Sequence, residues 1–306
     1  MVTHPPLVKK KIGHVNLNVL NNKWLDTFSH EQAKVVDDNG SKAVEVYSIH
    51  AFTQAIGYIK YKLKDQFNVM YRGQRKNYGA LKPTLYRGAN SVKVVSDRNQ
   101  RINDFLRDSK DAKMYINGTP EYGYEPLLQH YGLNTRWIDL VDNHWIALWF
   151  GAQRFFSTRD GRAIHCETRN SRNDQESGYV YVVLVATPKF WMNAKTPGLY
   201  MDEDSKLIDL RTCTPSLYLR PHSQHAFLMA RNSYHDENDA NLNNRIAGLI
   251  RIDVGLAKEW LGSGGLISSH SLFPPPFYDQ GYSLFLEKRP PHTKELGTIT
   301  NFYGST

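Results

Sequence analysis

Cysteines are few in this sequence, and long apolar runs are missing. Its 306 residues include two cysteines, Cys166 and Cys213, which lie far apart in the chain. Disulfide-bonded secreted domains and thiolate metal sites need more cysteines at closer spacing, so we expect neither. No stretch approaches the roughly 20 apolar residues of a membrane span, and the N-terminus lacks the apolar core of a secretory leader. We therefore expect a soluble, cytoplasmic protein.

Several common catalytic motifs are also missing. The sequence has no Gly-Lys-Ser/Thr phosphate loop, no Gly-X-Ser-X-Gly elbow, no His-Glu-X-X-His and no Cys/His quartet. The glycine-rich run 262–265 follows an apolar segment, so we interpret it as a helix C-terminal cap rather than a phosphate cradle. His222 and His225 fall in a predicted strand, where three-residue spacing puts them on opposite faces. Without an acidic partner nearby in the sequence, they predict no metal site.

What the sequence does contain is typical of a folded, basic protein. Hydrophobic residues make up 41% of the chain and aromatic residues 12%, which is enough for a large core. The formal net charge is +8, which favours an anionic partner such as nucleic acid, a nucleotide or an acidic protein. A solvated positive surface without a partner would give the same charge, so both interpretations stay open.

Composition along the chain predicts three regions. Residues 1–40 are polar and end in a turn-rich segment, so we interpret them as an N-terminal extension. The main domain is then expected over 41–290, and residues 291–306 form a C-terminal tail. No repeat of solenoid length and no low-complexity tract interrupts this division.

The order of the predicted helices and strands indicates the fold class. Ser48 and Asn143 are good N-cap residues, and each precedes an apolar pattern that predicts a helix, the second one over 144–156. Strands are predicted mainly later in the chain, where β-branched and aromatic residues form apolar runs at 178–187, 224–231 and 248–254. This order favours an α+β domain with a mixed, largely antiparallel sheet and flanking helices.

Polar residues stand among or directly after several apolar runs. Arg72 and Gly73 close one run and Arg87 closes the next, while "LLQHYGLNTRWIDL" contains Gln129, His130, Arg136 and Asp139. Polar groups in a core need partners. One interpretation is a set of structural ion pairs, with Asp139 pairing either Arg136 or Arg72. The other interpretation is a ligand site built from the same residues.

Four segments of the chain resemble a known bacterial domain. They are "YRGQ" from Tyr71, "LKPTLYR" from Leu81, "LLQHYGLNTRWIDLVDNHWIALWFGA" from Leu127 and "RPHSQHAFLMAR" from Arg220. Their order and spacing are similar to those of the FRG domain, named for its Phe/Tyr-Arg-Gly motif, over about residues 45–285. The closing segment "LISSHSLFPPPFYD" from Leu266 is similar too. Trp137 stands where leucine is usual, and residues 165–177 form a polar insertion.

This resemblance implies a function. FRG domains are often grouped with ADP-ribosyltransferase-like folds and occur in bacterial toxins and phage-defence genes. We therefore expect an ADP-ribosyltransferase-like fold and an enzyme that uses NAD as a substrate, without a metal, to modify a nucleic acid or a protein. An antitoxin or a defence-system partner is expected to accompany it. The alternative is a non-catalytic module that binds a nucleotide or nucleic acid in the same arginine-lined cleft. A nuclease is disfavoured because no carboxylates cluster at metal spacing.

The resemblance also implies which residues would bind NAD. A guanidinium binds phosphate oxygens in pairs, so Arg72 is the first candidate for the diphosphate. An aromatic side chain is expected against the nicotinamide ring. The residues assigned to NAD binding in this way are Tyr71, Arg72, Gly73, Arg87, Tyr131 and Arg136.

The catalytic residues implied by the resemblance are less conventional. His130 is expected to bond a ribose hydroxyl or to act as a base. Gln224 stands where related transferases often carry a glutamate, and an amide neither accepts a proton nor stabilises positive charge as a carboxylate does. Either Asp139, Glu125 or Asp279 supplies that carboxylate, or the domain binds a nucleotide without turning it over.

Overall fold

The computed structural model describes residues 23–170, 178–189, 195–233, 240–262, 267–289 and 293–303. In chain order, the strands are β1 Ala33–Asp38, β2 Ser41–Val46, β3 Asn68–Gln74, β4 Ile138–Val141, β5 Gln153–Ser157, β6 Ala163–Thr168, β7 Tyr179–Thr187, β8 Leu199–Met201, β9 Ser205–Asp209, β10 Ala226–Arg231, β11 Ile246–Asp253 and β12 Asn301–Phe302. The helices are α1 Ile49–Leu63, α2 Val92–Asp111, α3 Glu121–His130, α4 His144–Ala152, α5 Leu210–Cys213, α6 Leu219–Ser223, α7 Val254–Leu261, α8 Ser269–Leu272 and α9 Gln280–Glu287. Among the helices of these ranges, none is long and apolar enough to cross a membrane.

Nine strands form one mixed sheet in the order β1-β2-β11-β7-β3-β4-β10-β9-β8. The pairing of β2 with β11 is parallel and the other pairings are antiparallel. Strand β7 lies near the middle and is buried along almost its whole length, which explains why its sequence is continuously apolar rather than alternating. The prediction of an α+β fold with a mixed, mostly antiparallel sheet and flanking helices is confirmed.

The sheet separates two hydrophobic cores. Alternate residues of β10 face opposite sides, so Phe227 and Met229 join one core while Leu228 joins the other. Helices α1, α4 and α7 cover the first side, and α2, α3 and α9 cover the second. Arg72 on β3 and Asp139 on β4 therefore belong to a sheet that has a hydrophobic core on each side.

The predicted helix starts are confirmed. The Ser48 hydroxyl accepts a hydrogen bond from the Ala51 amide (3.2 Å), and the Asn143 side chain accepts one from the Trp145 amide (2.9 Å). Gly262, at the start of the glycine-rich run, is the C-cap of α7 with φ +64°. The rest of that run, 263–265, lies outside the described residues, as do 171–177 of the predicted insertion, 1–22 of the extension, and 291–292 and 304–306 of the predicted tail.

Two local predictions are wrong. The helix predicted over 144–156 ends at Ala152, because the following residues form β5, which pairs with β6 in a second, three-stranded sheet of order β12-β6-β5. The strand predicted over 224–231 begins at Ala226. His222 lies in α6, and His225 follows it in a left-handed conformation with φ +53°. Pro221 suits the first turn of such a short helix.

Part of the predicted N-terminal extension lies in the large sheet. Residues 33–38 form β1, which pairs with β2 at one edge. Asp38 ends this strand, is 7% exposed, and accepts hydrogen bonds from the Tyr181 hydroxyl (2.8 Å) and from Arg251 (3.0 Å). The edge strand is thereby tied to the centre of the sheet by a buried charge pair.

Candidate functional site

A cavity of about 660 Å³ lies beside β3 and β4. Its walls come from these strands, from the end of α3, from α4 and α6, and from the small sheet. Most of the residues that the sequence predicts for the site line this cavity, namely Tyr71, Arg72, Gly73, Arg87, His130, Asp139 and Gln224. Segments that are distant in the sequence are thus brought to one place.

Tyr131 and Arg136 lie outside the lining of this cavity. Tyr131 is fully buried and donates its hydroxyl to Asp279 (2.6 Å). The Nε and Nη2 atoms of Arg136 donate to the carboxylate of Glu125 at 3.0 and 2.6 Å. The carboxylates of Glu125 and Asp279 therefore hold structural bonds, and neither residue lines the cavity. The structural pairing expected between Arg136 and Asp139 is replaced by the pair with Glu125.

Gly73, the glycine of the Tyr-Arg-Gly motif, allows α4 to pack closely on β3. A Cβ atom at this position would lie 1.8 Å from the Ala147 carbonyl oxygen and 2.6 Å from the Gly151 amide nitrogen. No side chain fits there. The backbone of Gly73 reaches the cavity, but the requirement for glycine comes from packing.

The first two residues of the motif have separate environments. Tyr71 is 1% exposed and its ring meets His144 edge-on at 5.8 Å, and burial together with the Asp142 charge raises the pKa of its phenol to about 12. Arg72 faces the cavity, and its Nη1 donates to the backbone oxygen of Asp139 (2.6 Å). Burial lowers the pKa of Arg72, and the Asp139 charge opposes this, so the guanidinium keeps its charge.

Asp139 and His130 form a polar pair in the cavity. The Gln129 amide donates to Oδ2 of Asp139 (2.8 Å) and accepts from the Thr135 hydroxyl (2.7 Å), which fixes the carboxylate. Oδ1 of Asp139 lies 3.8 Å from Nδ1 of His130. Both this oxygen and Nε2 of His130 are buried without a hydrogen-bond partner among the described residues.

Charge keeps this carboxylate ionised. Burial raises the pKa of Asp139, but the neighbouring His130, the charge of Arg72 and the bond from Gln129 outweigh it, so the pKa lies below its ordinary value. At neutral pH the cavity therefore holds an ionised carboxylate next to the side chain of His130. This is an arrangement suited to general base catalysis.

Arg220 is a cavity residue that the sequence analysis did not single out, although it begins the fourth of the resembling segments. It is 3% exposed, and its guanidinium lies over the rings of Tyr131 (4.6 Å) and Tyr282 (4.3 Å). Its Nη1 donates to the backbone oxygen of His130 (3.4 Å). The site thus gains a second buried cation.

Four phenylalanines form an aromatic wall on the cavity, and none of them was predicted. Phe273 stacks on Phe302 with ring centroids 3.8 Å apart, and the rings of Phe150 and Phe155 lie 6.1 and 6.2 Å from that of Phe273. These residues come from three separate parts of the chain. For Phe273 the sequence offers one local signal, the run of prolines that follows it and restricts its backbone.

Part of this chain matches a known family. The family model described as the FRG domain matches residues 67–159, a stretch that contains Arg72, His130 and Asp139. The chain carries an FRG domain. No curated protein matches the chain, and no solved structure does. Arg220, Phe273 and Phe302 also line the cavity but lie outside residues 67–159. Part of the cavity is therefore built by residues that the family model does not match.

Two of the predicted residues that line the cavity, Gln224 and Arg87, have different surroundings. Gln224 is 5% exposed and donates its amide to the Leu272 backbone oxygen (2.7 Å), which ties α6 to α8. Arg87 is exposed, and its Nε donates weakly to the Lys82 backbone oxygen (3.4 Å). Gln224 therefore serves structure, whereas Arg87 is placed at the mouth.

The histidines considered for a metal have other contacts. Nδ1 of His225 lies 2.7 Å from Asp142, so an acidic partner is present after all, and Arg211 shares that carboxylate at 2.9 Å. Within the described parts of the chain, no three His, Cys, Asp or Glu residues are grouped so as to hold a metal.

Proposed function

We propose that the cavity binds NAD and that the protein transfers ADP-ribose from NAD to an acceptor. The observation that carries this proposal is the division of one cavity into a cationic part and an aromatic wall. Arg72 and Arg220 provide guanidinium groups for a diphosphate, and the phenylalanines provide faces for a planar base. Its volume of about 660 Å³ also suits a dinucleotide-sized ligand.

In this proposal the Asp139–His130 pair acts on the acceptor. The bond between C1′ of the nicotinamide ribose and the ring nitrogen breaks, and nicotinamide leaves as a neutral molecule with the bonding electrons. The acceptor's nucleophilic atom bonds to C1′ and gives its proton to Nε2 of His130. The charge of Asp139 stabilises the resulting imidazolium. The present 3.8 Å separation of the pair would shorten once a ligand is bound.

A basic segment at the mouth favours nucleic acid as the acceptor. Residues 66–96 contain no Asp or Glu, and their cations are Arg72, Arg75, Lys76, Lys82, Arg87 and Lys93. Tyr78 in this segment is 47% exposed, and Nζ of Lys76 lies 5.3 Å from its ring centroid. Cations with an exposed aromatic ring suit a single strand, whose phosphates and bases they bind. A role as a toxin or phage-defence effector, controlled by an antitoxin or a defence partner, is part of the same proposal.

A non-catalytic nucleotide-binding module is the second candidate, and one observation favours it. The side chain at the position expected for a catalytic glutamate is Gln224, and its amide is held by Leu272. If Asp139 does not supply the missing charge, the cavity would bind the nucleotide and leave it intact.

Turnover separates the two candidates. The purified protein is incubated with NAD and a single-stranded oligonucleotide, and nicotinamide release is measured for the wild type, Arg72→Ala and Arg154→Ala. Because Arg72 is proposed to bind the diphosphate, its loss should lower kcat/KM about 10- to 100-fold. Arg154 is exposed and does not line the cavity, so its variant should match the wild type.

Two outcomes contradict the transferase proposal. One is a wild type that binds NAD but releases no nicotinamide, a result that supports the binding module. The other is equal turnover by Arg72→Ala and the wild type, with thermal melting showing that both are folded.

A further inference from the structure

We propose that Arg220 forms a buried subsite that binds two oxygens of one phosphate group of the ligand. The nucleotide that would carry this phosphate belongs to the proposed function, and to that extent the inference rests on it. The affinity of the subsite for an oxyanion rests only on the hydrogen bonding of Arg220.

Three other arginines of the chain show how Nε and Nη2, the two nitrogens on one edge of a guanidinium, can bind a carboxylate together. In Arg136, Arg211 and Arg251, Nε and Nη2 both donate to a single carboxylate, those of Glu125, Asp209 and Glu45. In Arg220 the same two nitrogens are buried and have no acceptor among the described residues. The edge of the guanidinium that binds paired oxygens is therefore the edge left unsatisfied.

This arrangement is costly unless a ligand completes it. Arg220 is 3% exposed, and a buried donor of a charged group without an acceptor destabilises a protein. The faces of its guanidinium are compensated by the rings of Tyr131, Tyr282 and Phe273 at 4.6, 4.3 and 5.3 Å. Aromatic faces stabilise the cation but accept nothing from its in-plane edge.

A carboxylate is close by, yet it is used otherwise. Asp279 is fully buried, and its oxygens accept from the Tyr131 hydroxyl (2.6 Å), the Arg220 backbone amide (3.0 Å) and the Tyr282 amide (2.9 Å). No ion pair joins it to the Arg220 guanidinium in the described structure. The fold thus uses Asp279 to hold the backbone of Arg220, and among the described residues no carboxylate pairs with the guanidinium.

The position of Arg220 fits a phosphate next to the reacting groups. It lines the same cavity as Arg72, and its Nη1 bonds the backbone of His130, whose Nε2 is the proposed base. Phe273 contacts Arg220 and also belongs to the aromatic wall. A ligand that joins a phosphate to a planar ring would bridge these two features.

Two variants test the subsite. Arg220→Met keeps the apolar stem against the surrounding rings but removes the charge, and Arg220→Lys keeps the charge but removes the paired donors. Calorimetric titrations use pyrophosphate, ADP-ribose, nicotinamide riboside, which has no phosphate, and malonate, which offers carboxylates instead. Arg154→Met is the control, since Arg154 is exposed outside the cavity.

The expected result is a loss specific to phosphate. Arg220→Met should bind pyrophosphate and ADP-ribose about 10- to 100-fold more weakly than the wild type, and Arg220→Lys should also bind them more weakly. Nicotinamide riboside should bind all variants equally, and malonate should bind the wild type more weakly than pyrophosphate does. If Arg220→Met fails to fold, Arg220→Lys decides the question.

Other results overturn the subsite, and they differ from those that overturn the transferase. Equal affinity of the wild type and a folded Arg220 variant for pyrophosphate and ADP-ribose refutes the subsite even if NAD is turned over. Preference for malonate refutes the phosphate assignment. If pyrophosphate binds and Arg220 variants lose it while NAD is not consumed, the subsite stands and the transferase proposal fails.

Discussion

At the residue scale, the cavity gathers buried polar atoms that the protein itself leaves without partners. Nε2 of His130, Oδ1 of Asp139 and two nitrogens of Arg220 are examples. Such atoms are uncommon in folded proteins, because each one costs about 1–3 kcal/mol. A ligand in the cavity would supply partners for these four atoms, whereas similar atoms of His144 and Arg245 belong to residues that do not line it.

Asp139 gives a prediction about pH. Burial raises the pKa of its carboxyl, but His130, Arg72 and Gln129 together lower that pKa by a larger amount. The folded pKa therefore lies below the ordinary 3.8. The ionised carboxylate therefore stabilises the fold above pH 3.8, and this contribution is lost as the pH falls through the lower folded value. The free energy of unfolding should differ most between the wild type and Asp139→Asn near neutral pH, and the difference should shrink in acid. Urea unfolding at a series of pH values measures it, and a difference that stays constant into strong acid contradicts the explanation.

The sequence identified some of these residues and missed others for a physical reason. Arg72 directly follows an apolar run, His130 ends a helix and Asp139 stands within an apolar run, so each is a polar residue beside apolar neighbours. Arg136 has the same local pattern, but its partner Glu125 lies in the preceding helix, a pairing that depends on how α3 and β4 meet. Arg220 contacts His130 from 90 positions away, so its surroundings cannot be read from neighbouring residues.

At the scale of elements, the crossing of α4 over β3 sets the shape of the cavity. Two glycines allow it, because a Cβ atom at Gly73 would lie 1.8 Å from the Ala147 oxygen and one at Gly151 would lie 2.6 Å from Val180 Cγ1. The close contact places Phe150, on α4, beside the same cavity as Arg72, on β3. The motif glycine thereby controls the distance between the aromatic and cationic walls.

Substitution of this glycine gives a stability prediction with a matched control. Gly73→Ala should destabilise the protein by about 3 kcal/mol or more, since backbone atoms and not a flexible side chain occupy the space. Gly57→Ala, on the exposed side of α1 with no atom within 4 Å of the new Cβ, should stabilise it by about 0.5–1 kcal/mol. Urea unfolding compares the two. A Gly73→Ala protein as stable as the wild type would show that the crossing can adjust.

Elements with strong local signals were predictable, and those defined by distant pairing were not. Ser48 and Asn143 cap their helices through their own side chains, and β7 is apolar throughout because it is buried by layers on both sides. By contrast, residues 153–157 leave the helical pattern only because β6 is available to pair with them. Nothing in the segment itself distinguishes it from one more helical turn.

At the scale of the whole molecule, the charges behind the net charge of +8 are unevenly distributed. Many arginines are neutralised in ion pairs within the core, such as Arg245 with Asp202 (2.8 Å) and Arg251 with Asp38 (3.0 Å). The segment 66–96 has cations and no acidic residue, and it borders the cavity. Within this segment no acidic residue offsets the six cations.

Binding of a single-stranded oligonucleotide tests this surface. Lys76→Gln should weaken binding and reduce the slope of log affinity against log salt by about 0.7, the effect of one phosphate contact. Tyr78→Ala should weaken binding by about 1–3 kcal/mol with the slope unchanged, because stacking releases no ions. Fluorescence anisotropy at several salt concentrations measures both changes.

Tyr61→Ala is the control for these variants. Tyr61 is 66% exposed and carries Lys64 3.8 Å from its ring centroid, but it belongs to α1 and does not line the cavity. If this variant weakens binding as much as Tyr78→Ala does, the interaction is unspecific and the mouth is not the docking surface.

The order of strands also limits how this domain can be exchanged between genes. The matched stretch 67–159 contains β3 and β4, but β3 pairs along its whole length with β7, and β4 pairs with β10. Recombination that carried residues 67–159 alone into another protein would transfer β3, β4 and β5 without the strands β7, β10 and β6 that pair with them, and a cavity without Arg220 or Phe302. Inheritance of the site therefore requires inheritance of the later strands too, even where the recognisable motif has already ended.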